Sequence, residues 1–129
     1  MQTALREAGG TVDYLNAHAT STRIGDLSEL EAARAAFSGL ELPLPPISST
    51  KGLSGHPIAA AGAHEAIYSL LMLEHDFLPG CSHLENLDPA CADAPLLRAT
   101  ERRRVDNILS NSFGFGGANA SLIFRRYAG

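Results

Sequence analysis

An α/β fold is what this sequence predicts, and three observations predict it. Short runs of strand-forming residues alternate with longer runs of helical periodicity. The loops after the strand runs gather hydroxyls, one lysine and two histidines, as the strand ends of an open α/β sheet do. The last two strand runs are joined by a glycine-rich turn, so they pair antiparallel and the sheet is mixed. The chain reads as one domain over its 129 residues, in the order helix, β, α, β, α, β, β.

Residues 1–8 read as the last turns of a helix, stopped by Gly9-Gly10. A domain seldom opens on a helix end, so the expectation is that something precedes Met1. Residues 11–16 form a short strand and 17–22 a loop rich in hydroxyls. Gly25-Asp26 starts a helix, with Asp26 and Glu29 in capping-box spacing. Leu27, Leu30, Ala33 and Phe37 give that helix one apolar face, and Gly39 ends it. Pro43, Pro45 and Pro46 stiffen the connection to a strand at 47–50.

The stretch 48–62 organises the chain. It holds the end of that strand, a loop displaying Lys51 and His56, and the start of an apolar helix. Pro57 suits a first helical turn, and Gly52 and Gly55 let the loop bend tightly. The helix runs from Pro57 to about His75. Small residues nearly all round its first half imply neighbours on several sides, a demand too large for this chain alone. Residues 77–98 read as a long surface connection, 105–110 as a strand, 111–119 as a glycine-rich turn and 120–127 as the final strand.

Composition is that of a globular protein, 45% apolar and 19% charged. A net charge of −4 gives no reason to expect nucleic acid or an anionic membrane as partner. Arg102-Arg103-Arg104 lies beside Glu101 and Asp106 and reads as a solvated loop or strand edge. No run reaches the length of a membrane span, and no signal peptide is legible. Cys81 and Cys91 lack CxxC spacing, so reduced thiols in a cytoplasmic protein are expected.

Three strand-end loops, 17–22, 51–56 and 111–117, should converge on one side of the sheet. His18, Lys51 and His56 could then share a site. Two histidines can donate to a developing oxyanion or act as acid or base, and a lysine can tune them. Read alone, the second loop could equally be a glycine-rich turn with a solvated lysine and a capping histidine. Glu65 is the one charge between Pro57 and Leu73, and if buried it needs a partner. His64, His75 and His83 read as surface residues. The run Gly114-Phe115-Gly116-Gly117 precedes a strand and is no dinucleotide fingerprint. A phosphate-binding GxxxxGK[ST] loop and a G-x-S-x-G elbow are absent, and the histidines match no familiar zinc spacing.

Asn16-Ala17-His18-Ala19-Thr20-Ser21-Thr22, Gly25-Asp26 with Glu29, Thr50-Lys51 with Gly55-His56, and residues 111–117 together resemble the C-terminal part of β-ketoacyl-acyl-carrier-protein synthases, the thiolase-fold condensing enzymes. Residues 65–75 look most like the type I enzyme of bacterial fatty-acid synthesis. The resemblance covers nearly the whole chain. It implies a thiolase-like C-terminal half, a layered α/β unit with a mixed sheet, lacking its first strand and the N-terminal half of the synthase.

The implied reaction joins an acyl group, held on a cysteine, to a malonyl group on the phosphopantetheine arm of acyl carrier protein. His18 and His56 resemble the active-site histidines and Lys51 the catalytic lysine, with Glu29 a carboxylate linked to Lys51. Thr20 and Thr22 match threonines that contact the pantetheine arm, and Phe113 and Phe115 the phenylalanines that gate the pocket. Asn16, Glu65, Ser110 and Asn111 sit where some relatives hold a structural cation. No cofactor is implied, and a homodimer is the expected state of the complete enzyme. Two departures stand out. Ala19 replaces a usual glycine, and neither Cys81 nor Cys91 has the context of the nucleophile. The implied fragment is therefore inactive alone. The other readings are a non-catalytic carrier-protein binding module and a decarboxylating or chain-length subunit of a polyketide system.

Overall fold

The computed structural model describes residues 1–127 and residue 129, and it folds around a mixed four-stranded sheet with helices on both faces. The elements, in order, are α1 (Gln2–Ala8), β1 (Tyr14–Asn16), α2 (Gly25–Ser38), β2 (Ile47–Ser48), α3 (Lys51–Ser54), α4 (Ala61–His75), β3 (Phe77–Leu78), β4 (Glu101–Arg102), β5 (Asn107–Phe113) and β6 (Asn119–Arg125). The sheet order is β2-β1-β5-β6. β1 runs parallel to both β2 and β5, while β5 and β6 pair antiparallel from Asn107↔Arg125 to Phe113↔Asn119. The carboxyl ends of the three parallel strands thus share one edge, as the sequence predicts.

Alternation along the strands divides the core in two. Leu15 and Leu109 pack on one side with Leu5 of α1 and Leu30, Ala33 and Phe37 of α2. Tyr14 and Ile108 pack on the other with Met72 and Leu73 of α4, Leu78 and Val105. Tyr14 and Ser48 join their hydroxyls, and Ser48 donates onward to the Pro79 carbonyl. Burial drives the Tyr14 hydroxyl far above the usual phenol range, so it stays neutral.

Several expectations need correction. The long helix begins at Ala61, because Pro57 precedes a tight turn over Ile58–Ala60. Residues 111–113 belong to β5, since antiparallel pairing with β6 continues to Phe113. The connection 77–98 is not purely superficial: Leu78, Pro79 and Leu97 are buried, and β3 pairs with β4. By contrast, α4 is covered on one side only, in keeping with a demand for neighbours too large for this chain alone. It buries Ala61, Glu65, Ser69, Met72 and Leu73, while Ile67, Leu70 and Leu71 face outward.

The capping box of α2 is also not formed, because its carboxylates are engaged elsewhere. Asp26 accepts from the Ser21 N–H at 3.0 Å. The Gly25 N–H is met by Thr22 Oγ1 at 3.2 Å, and a Cβ on Gly25 would fall 2.3 Å from that oxygen, so a side chain there would displace the Thr22 hydroxyl. No helix among the described residues is long and apolar enough to cross a membrane.

Candidate active site

β1 ends at Asn16 and delivers His18 to the edge of the sheet. Glu29 holds that loop from beneath. Its two carboxylate oxygens accept from the His18 N–H at 2.9 Å and the Ala19 N–H at 2.8 Å, and Asn111 Nδ2 donates to Oε1 at 2.9 Å. Asn111 is itself held by Ser121, which donates to its Oδ1 at 2.8 Å. Glu29 is buried, and these charge-assisted bonds fix the backbone that carries His18. Ala19 has no left-handed φ, and its methyl group packs against the α2-side core, so alanine is accommodated here.

β2 ends at Ser48 and leads into α3, whose first residue is Lys51. Lys51 Nζ donates to Glu65 Oε1 of α4 in an ion pair whose side chains are 6% and 2% exposed. Burial raises the Glu65 carboxyl above its ordinary range, and the bond from Lys51 offsets only part of that rise. Ser112 of β5 lies against Glu65 Oε2 at 3.5 Å. The lone charge of an apolar helix thus finds its partner on the loop that the sequence marks for chemistry. Ser112 was not anticipated; as a strand residue between two of interest it carried no separate signal.

α3 is capped by Gly55, whose φ of +72° and ψ of −177° favour a residue without a side chain. The turn brings His56 beside His18, with ring centroids 5.4 Å apart and planes at 86°. Phe113 closes a second side of His18, centroid to centroid 5.9 Å. Partial burial lowers the His18 imidazole to about 4, with Lys51 and His56 adding to the effect. His18 is therefore neutral near pH 7. A neutral imidazole keeps one N–H to donate, and here Nδ1 is buried without a protein partner.

The structure brings together His18, His56, Lys51, Glu65 and Phe113. It does not link Glu29 to Lys51: Glu29 rises from α2 and binds Asn111, whereas Lys51 is paired to α4 on the opposite side of the sheet. Of the expected cation ligands all four are buried, and Asn111 and Glu65 have protein partners. Asn111 and Ser112 are successive residues of β5 and point to opposite faces, so Asn111 meets α2 while Ser112 meets Glu65. Glu65 is paired with Lys51, and the buried Asn16 amide has no protein partner among the described residues. Phe115 is fully exposed and does not line the site. Thr20 is half-buried, and the Thr22 hydroxyl is engaged with Gly25. Cys81 and Cys91 line a cavity of about 460 Å³ that Thr22 and Glu29 also line but His18, Lys51 and His56 do not. Burial pushes both thiols up, away from the thiolate a nucleophile needs.

Residues 1–85 match the family described as "Beta-ketoacyl synthase, C-terminal domain". The chain is 46% identical to the 3-oxoacyl-[acyl-carrier-protein] synthase 1 of Haemophilus influenzae, covering 100% of this chain and 31% of that protein. The crystal structure of a β-ketoacyl synthase from Burkholderia phymatum superimposes with a TM-score of 0.87 at 36% identity, over 98% of this chain and 31% of that one. A type II polyketide ketosynthase in complex with its acyl-carrier protein superimposes at 0.86, with 28% identity, over 97% of this chain and 31% of that one. The chain spans about a third of the length of the proteins it matches.

Proposed function

Since the chain belongs to the β-ketoacyl synthase family and corresponds to its C-terminal domain, we propose that it supplies the histidine and lysine half of a condensing site for fatty-acid elongation. The observation that carries this reading is the edge-on pair His18 and His56, at the carboxyl ends of parallel strands and flanked by the buried Lys51–Glu65 pair. The extender is a malonyl thioester. When its bond to the carboxylate breaks, CO2 leaves and the electron pair flows onto the α-carbon and the thioester oxygen. Two N–H donors aimed at that oxygen stabilise the enolate as it forms. The α-carbon then attacks the acyl thioester carbonyl, the new C–C bond forms, and a cysteine thiolate departs.

His18 suits the donor role because it is neutral over the working pH range. The Lys51 ammonium is paired with Glu65, which holds it in place near the histidines. The acyl-bearing cysteine would come from the two-thirds of the synthase that this chain does not span, since Cys81 and Cys91 line a cavity that neither His18 nor His56 lines, and burial raises both thiols. Acyl carrier protein is the proposed carrier of the extender. Support comes from a structural neighbour whose ketosynthase is bound to its own carrier protein.

The test joins this chain to the unmatched part of the Haemophilus influenzae relative, as a chimera replacing the corresponding third. The chimera should release CO2 from malonyl-acyl carrier protein and elongate an acyl group, while the chain alone should do neither. His56→Ala in the chimera should slow decarboxylation by about 100-fold or more. Decarboxylation unaffected by that change, or turnover by the isolated chain, would overturn the reading.

A further inference from the structure

Ile58 is the β-branched residue with a left-handed backbone among the described residues, at φ +49°. It is the second residue of the turn closed by the Ala60 N–H to the Pro57 carbonyl at 3.0 Å. Glycine or asparagine normally fills such a position, because a branched Cβ collides with the backbone there. Strain of this kind persists only where surrounding structure enforces it. Within this chain nothing does, since the Ile58 side chain is 81% exposed. The turn also lies in a sensitive place. It follows His56 by two residues and sets the direction in which α4 departs, so the approach of His56 to His18 depends on it.

Ile58 is not alone. Leu53 before it and Ile67, Leu70 and Leu71 beyond it are also exposed. The α4 residues fall at i, i+3 and i+4, which makes one continuous stripe. An apolar surface of this kind beside a reaction site calls for an apolar cover. The cover has a natural source, because the chain aligns along its whole length to only 31% of the Haemophilus influenzae synthase.

We propose that Ile58 is an anchoring and positioning residue: its side chain is buried by the part of the synthase that this chain does not span, and that burial holds the left-handed turn and, through it, His56. This rests on the family reading above but not on turnover. The test measures binding of this chain to a separately produced polypeptide comprising the unmatched two-thirds of the Haemophilus influenzae relative. Ile58→Asn and Ile58→Gly both suit the backbone and so leave the chain folded. Each removes the apolar anchor and should weaken association by about tenfold or more. Ile58→Leu, which keeps the apolar volume, should bind within about threefold of the parent chain. At saturating partner, the His56 imidazole NMR signals of Ile58→Asn should move away from those of the parent, and Ile58→Leu should restore them. A purely adhesive side chain would change affinity and leave those signals alone. Unchanged affinity of Ile58→Asn, His56 signals identical to the parent at saturation, or no association by the parent chain would each overturn the proposal. Condensation is assayed separately in the parent complex. A complex that shows the Ile58 dependence yet does not condense would refute the catalytic reading and support the anchor.

Discussion

The His18 side chain shows how a single residue acquires its chemistry. Nothing in its immediate sequence makes it a weak base. Partial burial, the nearby Lys51 cation and the second imidazole do so together, bringing it from 6.5 to about 4. Between those two pH values the unfolded chain binds more protons than the folded one, so stability rises with pH across the window. The contribution is fully present above about 6.5 and is lost as the pH falls toward 4. Glu65 works in the opposite sense around and above its ordinary 4.5, because its folded carboxyl is raised. The two are separated by comparison with His18→Gln, which cannot titrate. Urea midpoints of the parent should drop relative to that variant as the pH is lowered from 7 to about 4.5. Parallel pH profiles would show that His18 is not desolvated as described.

At the scale of elements, the Lys51–Glu65 pair fastens the one-turn helix α3 to α4 and so fixes the loop that carries His56. α3 is too short to persist on its own propensity. Removing only the lysine leaves a buried carboxylate without its counter-charge. Lys51→Met should therefore cost about 3 kcal/mol or more in urea unfolding, while Lys51→Met with Glu65→Leu should recover most of that loss. Equal losses in the single and double variants would mean that the pair does not hold the two helices together. Much of this level was legible in the sequence. The helical spacing of Leu27, Leu30, Ala33 and Phe37, the stop at Gly9 and the parallel strands with their loops at one edge all appear as read. The links between loops were not. Glu29 has the spacing of a capping box, and only the fold shows that it reaches back to His18 and across to Asn111. Local spacing determines a helix cap, whereas the partner of a buried carboxylate depends on which faces of the sheet come together. The turn at Ile58 was equally hidden, because Pro57 fits a first helical turn as well as a tight bend.

For the whole molecule, the two core clusters draw on the same central strands. Leu15 and Leu109 belong to one, and their neighbours Tyr14 and Ile108 to the other. Opening either side removes half the support of β1 and β5, so the clusters should be lost together, with far-UV and near-UV circular dichroism giving coincident unfolding curves. The small residues of α4 led the sequence reading to expect cover on several sides. The chain provides it on one side only and leaves the Ile67, Leu70 and Leu71 stripe open. These side chains bury little within the chain, so they add little to its own stability. Ile67→Gln with Leu70→Gln should leave the urea midpoint nearly unchanged, by about 0.5 kcal/mol or less. The same double change should dim the fluorescence of an apolar dye bound to the folded chain, because that dye reports exposed apolar surface. It should also abolish association with the unmatched part of the Haemophilus influenzae relative. A large loss of stability would instead mean that the stripe packs within this chain. Normal association by the double variant would place the contact surface elsewhere. Stability and association should thus divide between the two faces of α4: Met72 and Leu73 hold the fold, and exposed Ile67 and Leu70 should carry the proposed contact.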